Sequence, residues 1–127
     1  MRLEEAAKAA SRLAYCPYSR FPVGAAVLTG SGAVSAGCNV ENASFGLTIC
    51  AERNAVFQAV ARGEREIRAV VVSTPTPTPT APCGACRQVL NEFGPEAEVR
   101  CVCDGPDQLR HALSELLPVA FGPKNLG

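Results

Sequence analysis

Three of the seven cysteines stand where a thiol can do chemistry. Cys83 and Cys86 form a Cys-x-x-Cys pair in "TAPCGACRQVL", at the start of a helical pattern, and Cys50 opens another such pattern in "ICAERNAVFQAVARG". A thiol pair at this spacing can hold a metal, close a redox disulfide or stay reduced and inert. The start of a helix exposes unpaired backbone N–H groups and about half a positive charge, which favours the thiolate form. Cys86 lies one turn beyond Cys83, so its sulfur can aim at the same point. Three thiolates drawn from two helix starts can therefore share one Zn²⁺ and leave its fourth position open to water, the pattern of catalytic zinc.

Glu52 follows Cys50 by two residues, within the first turn, where a carboxylate can face the open position without filling it. Zinc lowers the pKa of a coordinated water from about 15.7 to about 7. A carboxylate that takes the proton and delivers it elsewhere is a general acid and base, worth roughly 10²–10⁴ in rate. Three thiolates blunt the metal's Lewis acidity, and the two helix dipoles with a nearby cation offset them; Arg53 is the adjacent candidate and Arg87 the second. Cys101 and Cys103 share one strand face as small buried groups, and Cys16 and Cys38 sit in apolar or turn contexts. A four-thiolate structural zinc needs one of the 101/103 pair, neither of which opens a helix, and leaves Glu52 without a task. A thioredoxin-like redox pair leaves Cys50 unexplained.

These residues need elements to hold them. Leu3, Ala6, Ala10 and Leu13 recur at helical spacing, predicting an amphipathic first helix. Pro17 and Pro22 make "CPYSRFPV" a loop. "VGAAVLTGSGAVSAGCNVE" reads as a hairpin turning at Gly30-Ser31-Gly32. The helix opened by Cys50 stops at Gly63, and the one opened by Cys83 stops at Gly94. "IRAVVVS" reads as a strand covered on both faces, and "AEVRCVC" as another. "PDQLRHALSELLP" is predicted as a last helix starting at Pro106, with His111 on its surface. The repeat Thr74–Thr80 alternates with proline, which predicts an extended, polyproline-like connector. Strands alternating with helices after residue 50 indicate a mixed or parallel sheet with helices packed on it.

Composition sets the bounds. At 127 residues the chain is expected to be a single domain, 1–127, able to bury a core without disulfide staples. Its formal net charge is +0, with 12 basic and 12 acidic residues, so a polynucleotide partner is not expected. No apolar run reaches transmembrane length, so no membrane partner is expected. The N-terminal stretch carries acids and lacks the apolar run of a signal peptide, and an odd number of cysteines does not make a full disulfide framework. A reducing cytoplasm is the expected location.

The stretches "CPYSRFPVGAA", "GCNVENA", "CAERNAV", "PCGACRQVL" and "ELLPVAFGP" together resemble the small zinc-dependent cytidine deaminases, over nearly the whole chain. The wider zinc-deaminase signature, His/Cys-x-Glu followed by Pro-Cys-x-x-Cys, is met at Cys50, Glu52 and Pro82–Cys86. The resemblance implies a three-layer α/β/α fold with a mixed five-stranded sheet, one Zn²⁺ per chain, and a homotetramer with shared active sites. The reaction implied is hydrolytic deamination of a free nucleoside, cytidine or deoxycytidine, in pyrimidine salvage. It further implies that Asn39 and Glu41 contact the ribose and that Phe21 packs on the pyrimidine. The Ala51 N–H is implied to meet the base carbonyl and the Ala81 C=O the departing amino group. Ala43, Phe45 and Phe121 would reach a neighbouring subunit's site; relatives often carry Tyr at position 45, and that hydroxyl is absent here. Two alternatives stand beside this reading: a deaminase of the same fold acting on an aminonucleoside antibiotic or a polynucleotide base, and a zinc-stabilised protein without catalysis.

Overall fold

The apolar residues of the central strands fall on both sides of the backbone, which fixes where the helices must lie. The computed structural model describes residues 2–127. Its elements are α1 (Arg2–Ser11), β1 (Gly24–Thr29), β2 (Val34–Cys38), α2 (Ala51–Ala61), β3 (Ile67–Ser73), α3 (Gly84–Phe93), β4 (Glu98–Val102), β5 (Leu109–Ala112) and α4 (Leu113–Leu116), with short 3₁₀ turns at Phe45–Leu47 and Pro123–Asn125. The strands form one sheet in the order β2-β1-β3-β4-β5. β3 and β4 run parallel and the other neighbours antiparallel, so the sheet is mixed, as expected.

Successive strand residues point to opposite faces. Ala25, Val27, Val70, Val72 and Val99 pack on one face with Ala55, Val56 and Ala59 of α2 and Leu90 of α3. Ala26, Val71 and Val102 pack on the other with Ala7 of α1. The result is three layers, with β3 buried on both faces as its unbroken apolar run predicts. Helix α1 carries Glu4 and Glu5 in its first turn and Lys8 in its last, each matched to the helix dipole. Leu3 and Ala6 reach the sheet as predicted, whereas Leu13 lies beyond the helix end and is exposed.

Two expectations fail. The stretch predicted as a last helix from Pro106 is instead strand β5 followed by the single turn α4. Leu109 pairs with Cys101 and His111 with Val99, so β5 satisfies backbone groups of β4 that would otherwise stand unpaired at a sheet edge. The spacing of Leu109, Leu113 and Leu116 suits a helix, but this long-range pairing overrides it. The one helical turn that remains begins where the Glu115 carboxylate accepts the Ala112 N–H at 2.8 Å. His111 is consequently a strand residue, half exposed, 3.7 Å from Glu115.

The Thr74–Thr80 stretch is neither helix nor strand, as predicted, but it is not extended. The Thr76 Oγ1 donates to the Thr78 carbonyl at 2.6 Å and lies 3.5 Å from the Thr80 Oγ1. A polyproline path separates residues four apart by about 12 Å along its axis, so the segment curls. Side-chain hydroxyls, which the proline pattern does not register, bend it.

Helix α1 lies so close to β1 that a Cβ on Gly24 would overlap the Ala7 carbonyl oxygen of the helix backbone. Neither partner is a flexible side-chain end that could move aside. Gly24→Ala is therefore expected to lower the thermal unfolding midpoint by roughly 5–10 °C. An unchanged midpoint would show that α1 can lift off the sheet without cost.

Candidate functional site

The connectivity around β3 brings two helix starts together. Helix α2 leads back into β3 and so begins near that strand's C-terminal end, and α3 departs from the same end. Cys50 is the residue capping α2 and Cys83 the residue capping α3; neither side chain caps its own helix, so both sulfurs are free to face outward. The Cys50 and Cys83 sulfurs lie 4.0 Å apart, and those of Cys83 and Cys86 3.5 Å apart. All three fall within 4.8 Å of one another. Sulfurs around a tetrahedral zinc, each about 2.3 Å from it, sit about 3.8 Å from one another. The trio brackets that spacing, and all seven cysteines are unpaired thiols. The donor set fits one Zn²⁺.

The electrostatics are those of an anion site. Cys50 is lowered to about 5, first by the hydrogen bond from Cys86 and then by the Arg53 guanidinium. Cys86, buried in α3, is raised, first because its proton is held against Cys50 and next by burial. Arg53 donates from Nη2 to the Cys50 sulfur at 3.4 Å, and its own pKa is raised by that hydrogen bond. Its Nε is buried without a partner among the described residues, a spare donor that suits a site gathering more negative charge. Arg87, the second candidate cation, is used otherwise. It donates to the Pro82 carbonyl and to the Leu116 carbonyl, both at 2.8 Å, and so ties the start of α3 to the C-terminal segment.

Glu52 is only 5 % exposed, on the inner side of α2. Burial lifts its carboxyl above the ordinary value, and the charge on Cys50 adds to that while Arg53 opposes it. A carboxyl held in this way takes up a proton more readily than an exposed one. Cys101 and Cys103 are buried as predicted and outside the sulfur trio. Burial pushes the Cys101 thiol up to about 11, with the Glu52 charge contributing.

Beside the sulfurs opens a cavity of about 500 Å³. Phe21, Asn39, Glu41, Cys50, Ala51, Glu52, Ala81 and Cys83 all line it, so the residues singled out from the sequence for one site converge there. Asn39 is 8 % exposed and bridges the Phe21–Val23 loop: its Oδ1 accepts the Val23 N–H and its Nδ2 donates to the Phe21 carbonyl, both at 2.9 Å. The Glu41 carboxylate accepts the N–H groups of Tyr18 and Ser19 at 3.0 and 3.1 Å and a short bond from the Ser19 hydroxyl. The Ser19 hydroxyl is the main cause that lowers the Glu41 pKa. Ala51 is the first residue of α2, where backbone N–H groups lack partners within the helix.

Ala43, Phe45 and Phe121 lie outside this cavity. Phe45 is 73 % exposed, edge-on to Tyr18, and Phe121 is 60 % exposed, its carbonyl accepting from Gln88. Ser19, Thr48, Thr74 and Thr80 also line the cavity and were assigned no role from sequence. Ser19 could have been found by its place two residues before Phe21. Thr74 and Thr80 belong to the repeat read as a connector, and Thr48 stands just before Cys50 in a stretch with no motif of its own.

Comparison with known proteins agrees with this geometry. Residues 1–102 match the model of the cytidine and deoxycytidylate deaminase zinc-binding region. A cytidine deaminase of Halalkalibacterium halodurans is 48% identical over 114 residues, covering 89% of this chain and 86% of the relative. A probable cytidine deaminase of Dictyostelium discoideum is 43% identical over 123 residues, covering 96% and 83%. Among solved structures, a cytidine deaminase from Burkholderia pseudomallei superposes with a TM-score of 0.90 at 52% identity, covering 94% of this chain and 97% of that one.

Removing one sulfur tests the shared ion. Cys83→Ala is expected to reduce bound zinc well below one per chain, read by elemental analysis of the dialysed protein. One full equivalent retained would place the metal on other ligands.

Proposed function

The chain belongs to the cytidine and deoxycytidylate deaminase family, and on that premise we propose that it hydrolyses the exocyclic amine of cytidine and deoxycytidine, giving uridine or deoxyuridine and ammonia. The observation that carries this reading is a buried carboxylate, Glu52, lining the same cavity as Cys50 and Cys83 of a sulfur trio spaced for zinc. Cys50, Cys83 and Cys86 would hold one Zn²⁺, whose Lewis acidity makes water a nucleophile near neutral pH.

Glu52 carries the protons. Its carboxylate takes one from the attacking water and delivers it to N3 of the ring, which leaves C4 more electrophilic. The carboxylate then takes the remaining proton from the hydroxyl added at C4 and passes it to the exocyclic nitrogen, so that C4=O forms as C4–N breaks and ammonia departs. Burial suits both halves of this cycle, because a carboxyl whose charged form is disfavoured accepts a proton readily and holds it until the base takes it. The Ala51 N–H would donate to the ring carbonyl and the Ala81 C=O would accept from the amino group. Phe21 would pack on the pyrimidine, a contact worth about 1–3 kcal/mol where bases stack on aromatics. Asn39 and Glu41 would meet the sugar hydroxyls with the hydrogen-bonding capacity left after they fix the 18–23 loop. Arg53 would balance thiolate charge.

A neighbouring hollow lined by Tyr18 and Phe45 shares Ser19, Glu41 and Thr48 with the cavity, and Tyr18, Phe45 and Leu47 are exposed. A homotetramer in which Ala43, Phe45 and Phe121 close a neighbour's site accounts for the exposure of Phe45 and Phe121. No helix among the described residues is long and apolar enough to cross a membrane. Thiols that must stay reduced to bind metal fit a cytoplasmic role in pyrimidine salvage.

Purified protein given cytidine is expected to lose the cytosine absorbance and release an equal amount of ammonia. Glu52→Gln is expected to fold and keep zinc while losing roughly 10²–10⁴ in turnover; undiminished turnover would remove Glu52 from the proton path. Sedimentation is expected to give four chains, and a monomer of full activity would rule out shared sites.

A further inference from the structure

The curled Thr-Pro segment orders its hydroxyls in one direction. A hydroxyl has a single proton and two lone pairs. The Thr76 proton is committed to the Thr78 carbonyl at 2.6 Å, because a carbonyl oxygen can only accept. The Thr74 Oγ1, 2.8 Å from the Thr76 Oγ1, must therefore be the donor in that pair, and the Thr80 Oγ1, 3.5 Å away, can bond to it only as a donor. Thr74 and Thr80 line the cavity and Thr76 does not. In this order the two wall hydroxyls direct their protons to Thr76 and keep only lone pairs for any other partner.

Thr76 is held in place from behind. Its carbonyl accepts the Asp104 N–H at 2.9 Å, and the next residue, Pro77, packs so closely on Gly105 that a Cβ there would overlap the Pro77 carbonyl. The loop cannot easily rotate to reverse the order of hydrogen bonds. Thr80 directly precedes Ala81, so this wall adjoins the place where the amino group leaves. Substrate and product differ there in hydrogen-bonding sense: the amine donates, and the carbonyl that replaces it only accepts. We propose that Thr76 sets the hydrogen-bonding sense of the wall formed by Thr74 and Thr80, so that it accepts from the amino group and offers no donor to the product carbonyl. Thr76 is a positioning residue in this account, and the proposal rests on the deaminase reading above.

The test compares the inhibition constant of uridine with the KM for cytidine. Thr76→Val keeps the shape and removes the hydroxyl, which frees the protons of Thr74 and Thr80 to turn toward product. The ratio of uridine inhibition constant to cytidine KM is expected to fall about three- to tenfold, the worth of one hydrogen bond. Thr76→Ser is expected to restore the unsubstituted ratio. An unchanged ratio in a folded Thr76→Val protein overturns the proposal, including the case in which both nucleosides weaken together, as loss of a merely structural contact would produce. Should Thr76→Val not fold, Thr76→Ala carries the same comparison. A chain that turns over no cytidine before any substitution overturns the deaminase reading, and this proposal falls with it.

Discussion

The site depends on two helix ends that point at one place. The starts of α2 and α3 each carry unpaired N–H groups and partial positive charge, and like charges brought together repel unless an anion stands between them. The sulfurs of Cys50, Cys83 and Cys86 occupy that position, with Arg53 adding a full charge from one side. Negative charge there is therefore a structural requirement as much as a chemical one. The hydrogen bond from Cys86 and the Arg53 guanidinium lower the Cys50 pKa, which suits the trio to a cation.

Glu52 answers a different constraint. It is attached to the helix whose start gathers anions, yet it is buried, near enough to Cys101 for its charge to be felt there. Two acidic groups only two residues apart are thus driven in opposite directions, one toward its charged form by a cation and its neighbours' hydrogen bonds, the other toward its neutral form by loss of water. Separating the tendencies of adjacent groups by environment is how one small cavity can hold an ion and move a proton.

Much of this was legible in the sequence because it is local. Cysteine at a helix start, a carboxylate two residues on, and glycine closing each helix are readable from spacing alone. The elements that the sequence misdescribes are those decided at a distance. Leu109–Ala112 has the spacing of a helix, and only the unpaired edge of β4 turns it into a strand. The Thr-Pro repeat looks stiff and extended, and only hydroxyl bonds that the proline pattern does not encode curl it onto the cavity. Asn39 and Glu41 could be named as site residues, but that their polar atoms also shape the 18–23 loop follows from contacts with residues remote in sequence.

The 33-residue separation of Cys50 and Cys83 bears on how the protein assembles. In an unfolded chain the thiols at 83 and 86 are near enough to share a metal, whereas bringing Cys50 to them requires closing a long loop at an entropic cost. The intervening segment contains β3, whose parallel partner β4 lies later still in the chain. The third sulfur therefore comes from outside the local pair, and binding of one ion by all three is coupled to completion of the fold around β3.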